Sequence, residues 1–280
     1  MRYTRANDRG SDETHAVGLP PEGMEGLWFN SDPGTGEISR IIVAVREGAI
    51  VMRAFGANVP DPIDWGETLA TPYVDHLGSS VVTGLTADYD FGFMKTRLAG
   101  NIKYGVLVIQ SYNEFCDDSG RPAYFMREFF SKEVTHRPES LPAKEPCAAL
   151  SDLPKAGTPT GPVDMSNLIG HWTNSNPETS AITHFDLCPR DSHYCIRVFG
   201  AGCAEPWGEA EANPHGYDVS GGRAVAFLAR YDLDFAEITL AANENKGLII
   251  IASFHRFKDS SPRSSYLKRE FFYREEAVQR

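Results

Sequence analysis

Residues 38–56 read ISRIIVAVREGAIVMRAFG. Two apolar, β-branched runs flank Glu47-Gly48, a pattern that predicts a β-hairpin closed by a two-residue turn. Pairing about that turn sets Val43 opposite Met52, Ile41 opposite Ala54 and Val45 opposite Ile50. That face is apolar and is expected to point inward, while the other carries Arg40, Ile42 and Arg53.

The hairpin is written twice. Residues 182–200 read ITHFDLCPRDSHYCIRVFG, and the same register sets Asp186 opposite Arg197 as an exposed cross-strand pair. It also sets Cys188 opposite Cys195, where the first copy has Ala44 and Val51. These two read as small, partly buried thiols; a cross-strand disulfide is the alternative that a reducing compartment disfavours. An offset of 144 aligns residues 26–57 with 170–201, and an offset of 142 aligns 65–131 with 207–273. Roughly a third of these positions are identical, the signature of an internal repeat. GLWFN at 26–30 answers GHWTN at 170–174. Trp65-Gly66-Glu67 answers Trp207-Gly208-Glu209, and Arg127-Glu128-Phe129-Phe130 answers Arg269-Glu270-Phe271-Phe272.

Residues 134–165 between the copies are studded with proline and are expected to be a linker. The organisation expected is a disordered tail over 1–22, one repeat over 23–133, the linker, and a second repeat over 166–276. Further strands are predicted at 67–75, 83–91, 92–100, 104–115 and 123–131, with counterparts in the second copy, and long amphipathic helices are absent. About eight short sequential strands per repeat predict an all-β fold of two tandem antiparallel up-and-down barrels, since closure removes exposed edges.

Charge and composition exclude several functions. The 280 residues carry a formal net charge of −11, which argues against nucleic acid and anionic membranes as partners. No apolar run reaches the length of a spanning helix and the polar N-terminal stretch is no secretory signal, so a cytoplasmic location is expected. Five scattered cysteines form neither a disulfide framework nor a zinc pattern. Glycine-rich phosphate loops, dinucleotide fingerprints, nucleophile elbows and His-rich metal patterns are absent, so the protein is expected to work with no cofactor.

G-x-W opening the first strand, with an Arg near the end of the last, resembles the calycin superfamily of lipocalins, fatty-acid-binding proteins and avidins. The resemblance touches both copies through Trp28 with Arg127 and Trp172 with Arg269. It implies that each Trp closes a barrel floor and that each Arg faces inward over it. The form G-x-W-x-N-S looks most like avidins, which implies ligand contacts at Asn30, Ser31, Asn174 and Ser175. Local hydrogen bonding within an Asn- and Pro-rich turn is the competing reading of those residues.

Residues shared by both copies are expected to keep the fold; residues that differ are candidates for a site. Along 104–115 the inward parity carries Ser111 and Asn113, and in the second copy Ser253 and His255. His255 thus adds a group that titrates near neutrality, a candidate general acid or base beside a candidate acid at Asp232. Trp65, Glu67, Trp207 and Glu209 follow proline-rich loops at an expected barrel mouth and are candidate substrate contacts, or else hydrophobic plugs with a bulge at the glycine. The leading expectation is a cofactor-free cyclase or isomerase, possible in secondary metabolism, that takes a small apolar or amphipathic molecule into a barrel cavity. The alternatives are a non-catalytic small-molecule binding protein and an interaction module with filled barrels. The apolar outward parity of Val106, Val108 and Tyr112, matched by Leu248, Ile250 and Phe254, predicts barrel–barrel packing or a homodimer.

Overall fold

A computed structural model describes residues 23–58, 60–132, 162–259, 261 and 263–275. The expected tail at 1–22 and most of the expected linker lie outside the described residues. The chain is all-β. Its N-terminal half contains β1 (Gly26–Asn30), β2 (Ile38–Arg46), β3 (Ala49–Gly56), β4 (Ile63–Val74), β5 (Val82–Asp90), β6 (Met94–Lys103), β7 (Val106–Phe115) and β8 (Tyr124–Ser131). The C-terminal half contains β9 (Gly170–Asn174), β10 (Ile182–Arg190), β11 (His193–Gly200), β12 (Glu209–His215), β13 (Ala226–Asp232), β14 (Ala236–Asn245), β15 (Leu248–Phe257) and β16 (Tyr266–Arg274).

Strands β1 to β8 pair antiparallel with their neighbours, and β8 returns to β1, closing an eight-stranded barrel. Strands β9 to β16 pair in the same order, with β16 returning to β9. The opening hairpin has the register read from its turn: Val43 faces Met52, Ile41 faces Ala54 and Val45 faces Ile50. Glu47 and Gly48 both take positive φ (50° and 81°), as the right-handed twist of the flanking strands requires of so short a turn. In the second hairpin Asp186 faces Arg197 and Cys188 faces Cys195, and both thiols are free.

Each half has its own buried cluster. In the first, Trp28, Ile41, Val43, Met52, Leu98 and Phe130 are fully covered. In the second, Trp172, Phe185, Ile196, Leu240 and Phe272 take that part. Val163 and Met165, at the end of the expected linker, are buried in the second cluster and so belong to the C-terminal half. Each of these tryptophans donates its indole N–H to a backbone carbonyl four residues earlier, Trp28 to Met24 (2.7 Å) and Trp172 to Leu168 (2.9 Å).

The two arginines expected over these tryptophans are not there. Lys132 lies over Trp28 (5.0 Å) and Arg274 over Trp172 (4.7 Å). Arg127 and Arg269 lie instead over Phe129 and Phe271 on the outward parity, and the inward parity of β8 and β16 carries Glu128 and Glu270. Each carboxylate ties the loop after the first strand to the last strand. Glu128 accepts from Asn30 Nδ2 (2.7 Å), Thr35 Oγ1 (2.5 Å) and the Ile38 amide (3.2 Å). Glu270 accepts from Asn174 Nδ2 (2.9 Å), Thr179 Oγ1 and the Ile182 amide (3.2 Å).

Part of the apolar outward parity of β7 and β15, Tyr112 and Phe254, is buried between the halves. Tyr112, Phe125, Leu228, Phe254 and Leu267 form a third buried cluster along this seam. Its contacts are reciprocal. Tyr73 meets Phe254 edge-on (5.0 Å), and His215 meets Tyr112 edge-on (5.2 Å); the 142-residue offset maps Tyr73 onto His215 and Tyr112 onto Phe254. Val74 N donates to Ser265 O, and Gly216 N to Ala123 O, both at 2.9 Å. The halves thus meet as the two members of an isologous dimer do. Among the described residues no helix is long and apolar enough to cross a membrane.

Candidate functional site

The residues singled out in the sequence do not come together in one place. His255 and Ser253 are buried together at one end of the second core. His255 is 1% exposed, its Nε2 lies 3.0 Å from Ser253 Oγ, and its ring stacks on Tyr266 at 4.3 Å. Ser253 in turn donates to Lys268 O (3.3 Å). Burial pushes the His255 pKa down to about 3, so the ring is neutral and covered. In the first half Asn113 holds the same place, accepting from Thr96 Oγ1 (2.8 Å) and donating to Ser111 Oγ and Tyr124 O (both 3.4 Å). These groups serve one another.

Asp232 does not join His255. It is an exposed carboxylate, its side chain 79% accessible, paired with Lys258. Trp65 packs edge-on against Tyr89 (5.4 Å) and Phe91 (5.2 Å), and Trp207 against Tyr231 (5.8 Å) and His255 (6.1 Å). Gly66 and Gly208 have φ of 82° and 109° and let the strand kink beside each indole. Glu67 and Glu209 lie outside: Glu67 is 3.8 Å from Arg46, and Glu209 accepts from both Nε (3.1 Å) and Nη2 (2.8 Å) of Arg190. That fork holds the Glu209 carboxyl down at about 2, while burial and the adjacent Glu209 push the Cys195 thiol up to about 11. Asn30 and Asn174 have their amides committed to the Glu128 and Glu270 ties and to the carbonyls of Ile38 and Ile182 (both 2.7 Å). Their side-chain oxygens accept from the amides of Asp32 and Asn176 (both 2.8 Å). The turn reading accounts for every polar atom of both side chains.

Chemistry-bearing groups meet water in a different place. A cleft of about 420 Å³ opens on the outer face of the C-terminal half, lined by His171, Thr173, Asn176, His184, Tyr273 and Glu275 among others. This volume is within the usual range for small-molecule sites. The β9–β10 register puts Asp186 opposite His171, and Asp186 Oδ1 accepts from His171 Nδ1 at 2.8 Å. Its other oxygen accepts from Arg197 (3.2 Å). Thr183 spends its one hydroxyl proton on Phe199 O (3.1 Å), so the 3.0 Å contact to His184 Nδ1 makes that nitrogen the donor. In the neutral imidazoles both Nε2 atoms are therefore left as acceptors. The two rings lie 5.1 Å apart, and His184 stacks on Phe199 at 4.3 Å. Burial, and then the neighbouring His171, lower the His184 pKa, which keeps it a base at neutral pH. Thr173 donates to Glu275 Oε1 (2.8 Å) at the rim.

Sequence reasoning missed this cleft, although its signal was present. Leu27, Phe29 and Arg40 stand in the first half where His171, Thr173 and His184 stand in the second. The copy comparison that singles out His255 also singles out these residues, once the β9–β10 register brings them together. A second cleft, of about 330 Å³, lies between the halves among Asp88, Lys95, Arg97, Glu114 and Arg230. Its central arginine is committed to Asp88 (2.8 Å, twice) and Thr239 (3.1 Å).

The fold thus defines an all-β protein with a closed eight-stranded antiparallel barrel, an architecture compatible with the calycin barrels. A scan against family models finds no match to this chain, and a comparison with curated proteins finds none either.

Proposed function

We propose that the chain is an internally duplicated pair of calycin-like barrels, and that it is a cofactor-independent isomerase or cyclase acting on a small amphipathic molecule. The substrate sits in the outer cleft at His171 and His184. One observation carries this reading: a carboxylate-oriented imidazole, Asp186–His171, stands beside a second imidazole, His184, in the lining of an accessible cleft. Asp186 fixes the tautomer that leaves His171 Nε2 as proton acceptor and stabilises the imidazolium once formed. The His171 imidazolium then returns that proton at a second position of the substrate, while His184 Nε2 accepts a hydrogen bond from a substrate hydroxyl; a proton shift of this kind isomerises a substrate with no cofactor. The lining of threonine, asparagine and histidine favours a hydrogen-bonding substrate over a wholly apolar one. The duplication supports the division of labour, since one copy keeps Leu27 and Arg40 where the other carries the histidines.

A non-catalytic binding protein would use the same cleft, and the two buried cores favour binding there over binding inside a barrel. Native mass spectrometry of gently purified protein is expected to find a small molecule bound one to one, and His171→Leu is expected to lose it. An unchanged bound mass in that variant would remove the cleft from consideration.

A further inference from the structure

We propose that Arg127 and Arg269 form an oxyanion site, for phosphate or a phosphomonoester, on the seam between the two halves. The two residues correspond under the 142-residue offset and lie on the outward parity of β8 and β16. Their neighbours two positions earlier, Phe125 and Leu267, are both in the buried seam cluster. Their cross-strand partners, Gln110 and Ala252, are buried too. The reciprocal packing of the seam therefore sets both arginines along it, and the charge of Arg127 is one of those acting on Arg269.

Both side chains are half-buried, and each rests on the ring two residues further on, Phe129 at 5.1 Å and Phe271 at 5.0 Å. Among the described residues neither guanidinium has a hydrogen-bond acceptor or a carboxylate partner, and Arg127 Nε is buried without a partner. Burial lowers the pKa of both, and the like charge of Arg127 lowers Arg269 further. A chain of net charge −11 has carboxylates to spare, yet it places none here. Two guanidinium forks with unspent donors on one seam match a tetrahedral oxyanion, whose several oxygens can accept from more than one donor. Such a ligand neutralises the repulsion and supplies the missing acceptors. The site is independent of the histidine cleft.

Titration calorimetry at low ionic strength, with inorganic phosphate as ligand and chloride at matched ionic strength as control, tests the site. Wild-type protein is expected to bind phosphate with Kd at or below about 1 mM. Arg127→Gln and Arg269→Gln are each expected to weaken binding about 10- to 100-fold, the loss of a charge-assisted hydrogen-bonding fork. Phenyl phosphate binding as tightly as phosphate would assign a phosphomonoester; markedly weaker binding would assign free phosphate. Without phosphate, the glutamine variants are expected to melt no lower than wild type, because each removes half of a repulsive pair. No phosphate binding by wild type, unchanged binding in both variants, or a lower melting temperature without the anion would overturn the proposal.

Discussion

Glu270→Ala is expected to lower the unfolding free energy by about 3–5 kcal/mol, read from urea denaturation. Glu270 is buried, and it ties the last strand to the loop after β9 through Asn174, Thr179 and the Ile182 amide. Truncation would leave those three donors without an acceptor in a covered place, where each orphaned group costs about 1–3 kcal/mol. Glutamine has one side-chain oxygen where the carboxylate has two, so Glu270→Gln is expected to rescue only part of the loss. Glu128→Ala is expected to behave alike, since Asn30, Thr35 and Ile38 make the same contacts. A loss below about 1 kcal/mol would mean that water takes over the carboxylate's place.

The second large effect is acid unfolding driven by two buried histidines. His215 is fully buried on the seam, its Nδ1 3.0 Å from Asn213 O and its Nε2 3.6 Å from Glu114 Oε1. Burial lowers its pKa to about 4, and that of His255 to about 3, from an ordinary value of 6.5. A folded pKa below the unfolded one means that the unfolded chain binds the extra proton. Stability is therefore complete above pH 6.5 and falls as pH drops, by about 1.4 kcal/mol per unit for each histidine. Glu128 acts in the opposite sense. Burial raises its pKa from 4.5 to about 7, so its contribution is largest below pH 4.5 and is lost as pH rises toward 7. Between pH 6.5 and 4.5 the three nearly reduce to the slope of one histidine; below 4.5 the histidines act unopposed until His215 is itself protonated near 4. His255→Asn, which puts an asparagine where the first half has Asn113, is expected to remove about 1.4 kcal/mol per pH unit from the slope, beside a pH-independent loss of the packing on Tyr266 and Trp207. His215→Tyr, which copies Tyr73, is expected to do the same on the seam. A pH profile unchanged by both substitutions would show that neither histidine is buried as described.

Where a strand has one dry face and one wet face, its alternation can be read directly, and the β2–β3 register follows from its turn. The outward apolar parity of β7 and β15 likewise announces the packing of the halves through Tyr112 and Phe254. The same packing misleads at β8. In AYFMREFF the parity of Phe125 and Phe129 reads as the inside, which would send Arg127 inward. Phe125 is buried against the other half and Phe129 lies under the arginine, so this strand is apolar on both faces and alternation stops distinguishing them. Glu128, an inward carboxylate with three donors, is then the residue whose side is hardest to assign from sequence. The cleft at His171 was hidden for a related reason: its groups come from β9, β10 and the end of β16, and only strand pairing places Asp186 beside His171. Asp232 and Glu209 are candidates by residue type, but exposed partners, Lys258 and Arg190, absorb them.

On the function proposed above, small molecules bind on the outer face where the two copies differ, and not inside a barrel. A nuclear magnetic resonance screen of small hydrogen-bonding fragments against isotope-labelled protein, read from backbone amide shifts, tests it most directly. The expected result is a set of shifts confined to residues 171–184 and 273–275, abolished by replacing His171 with Leu and His184 with Arg. Shifts gathered around His255, Ser253 and Trp207, or a screen with no response in the cleft, would contradict it.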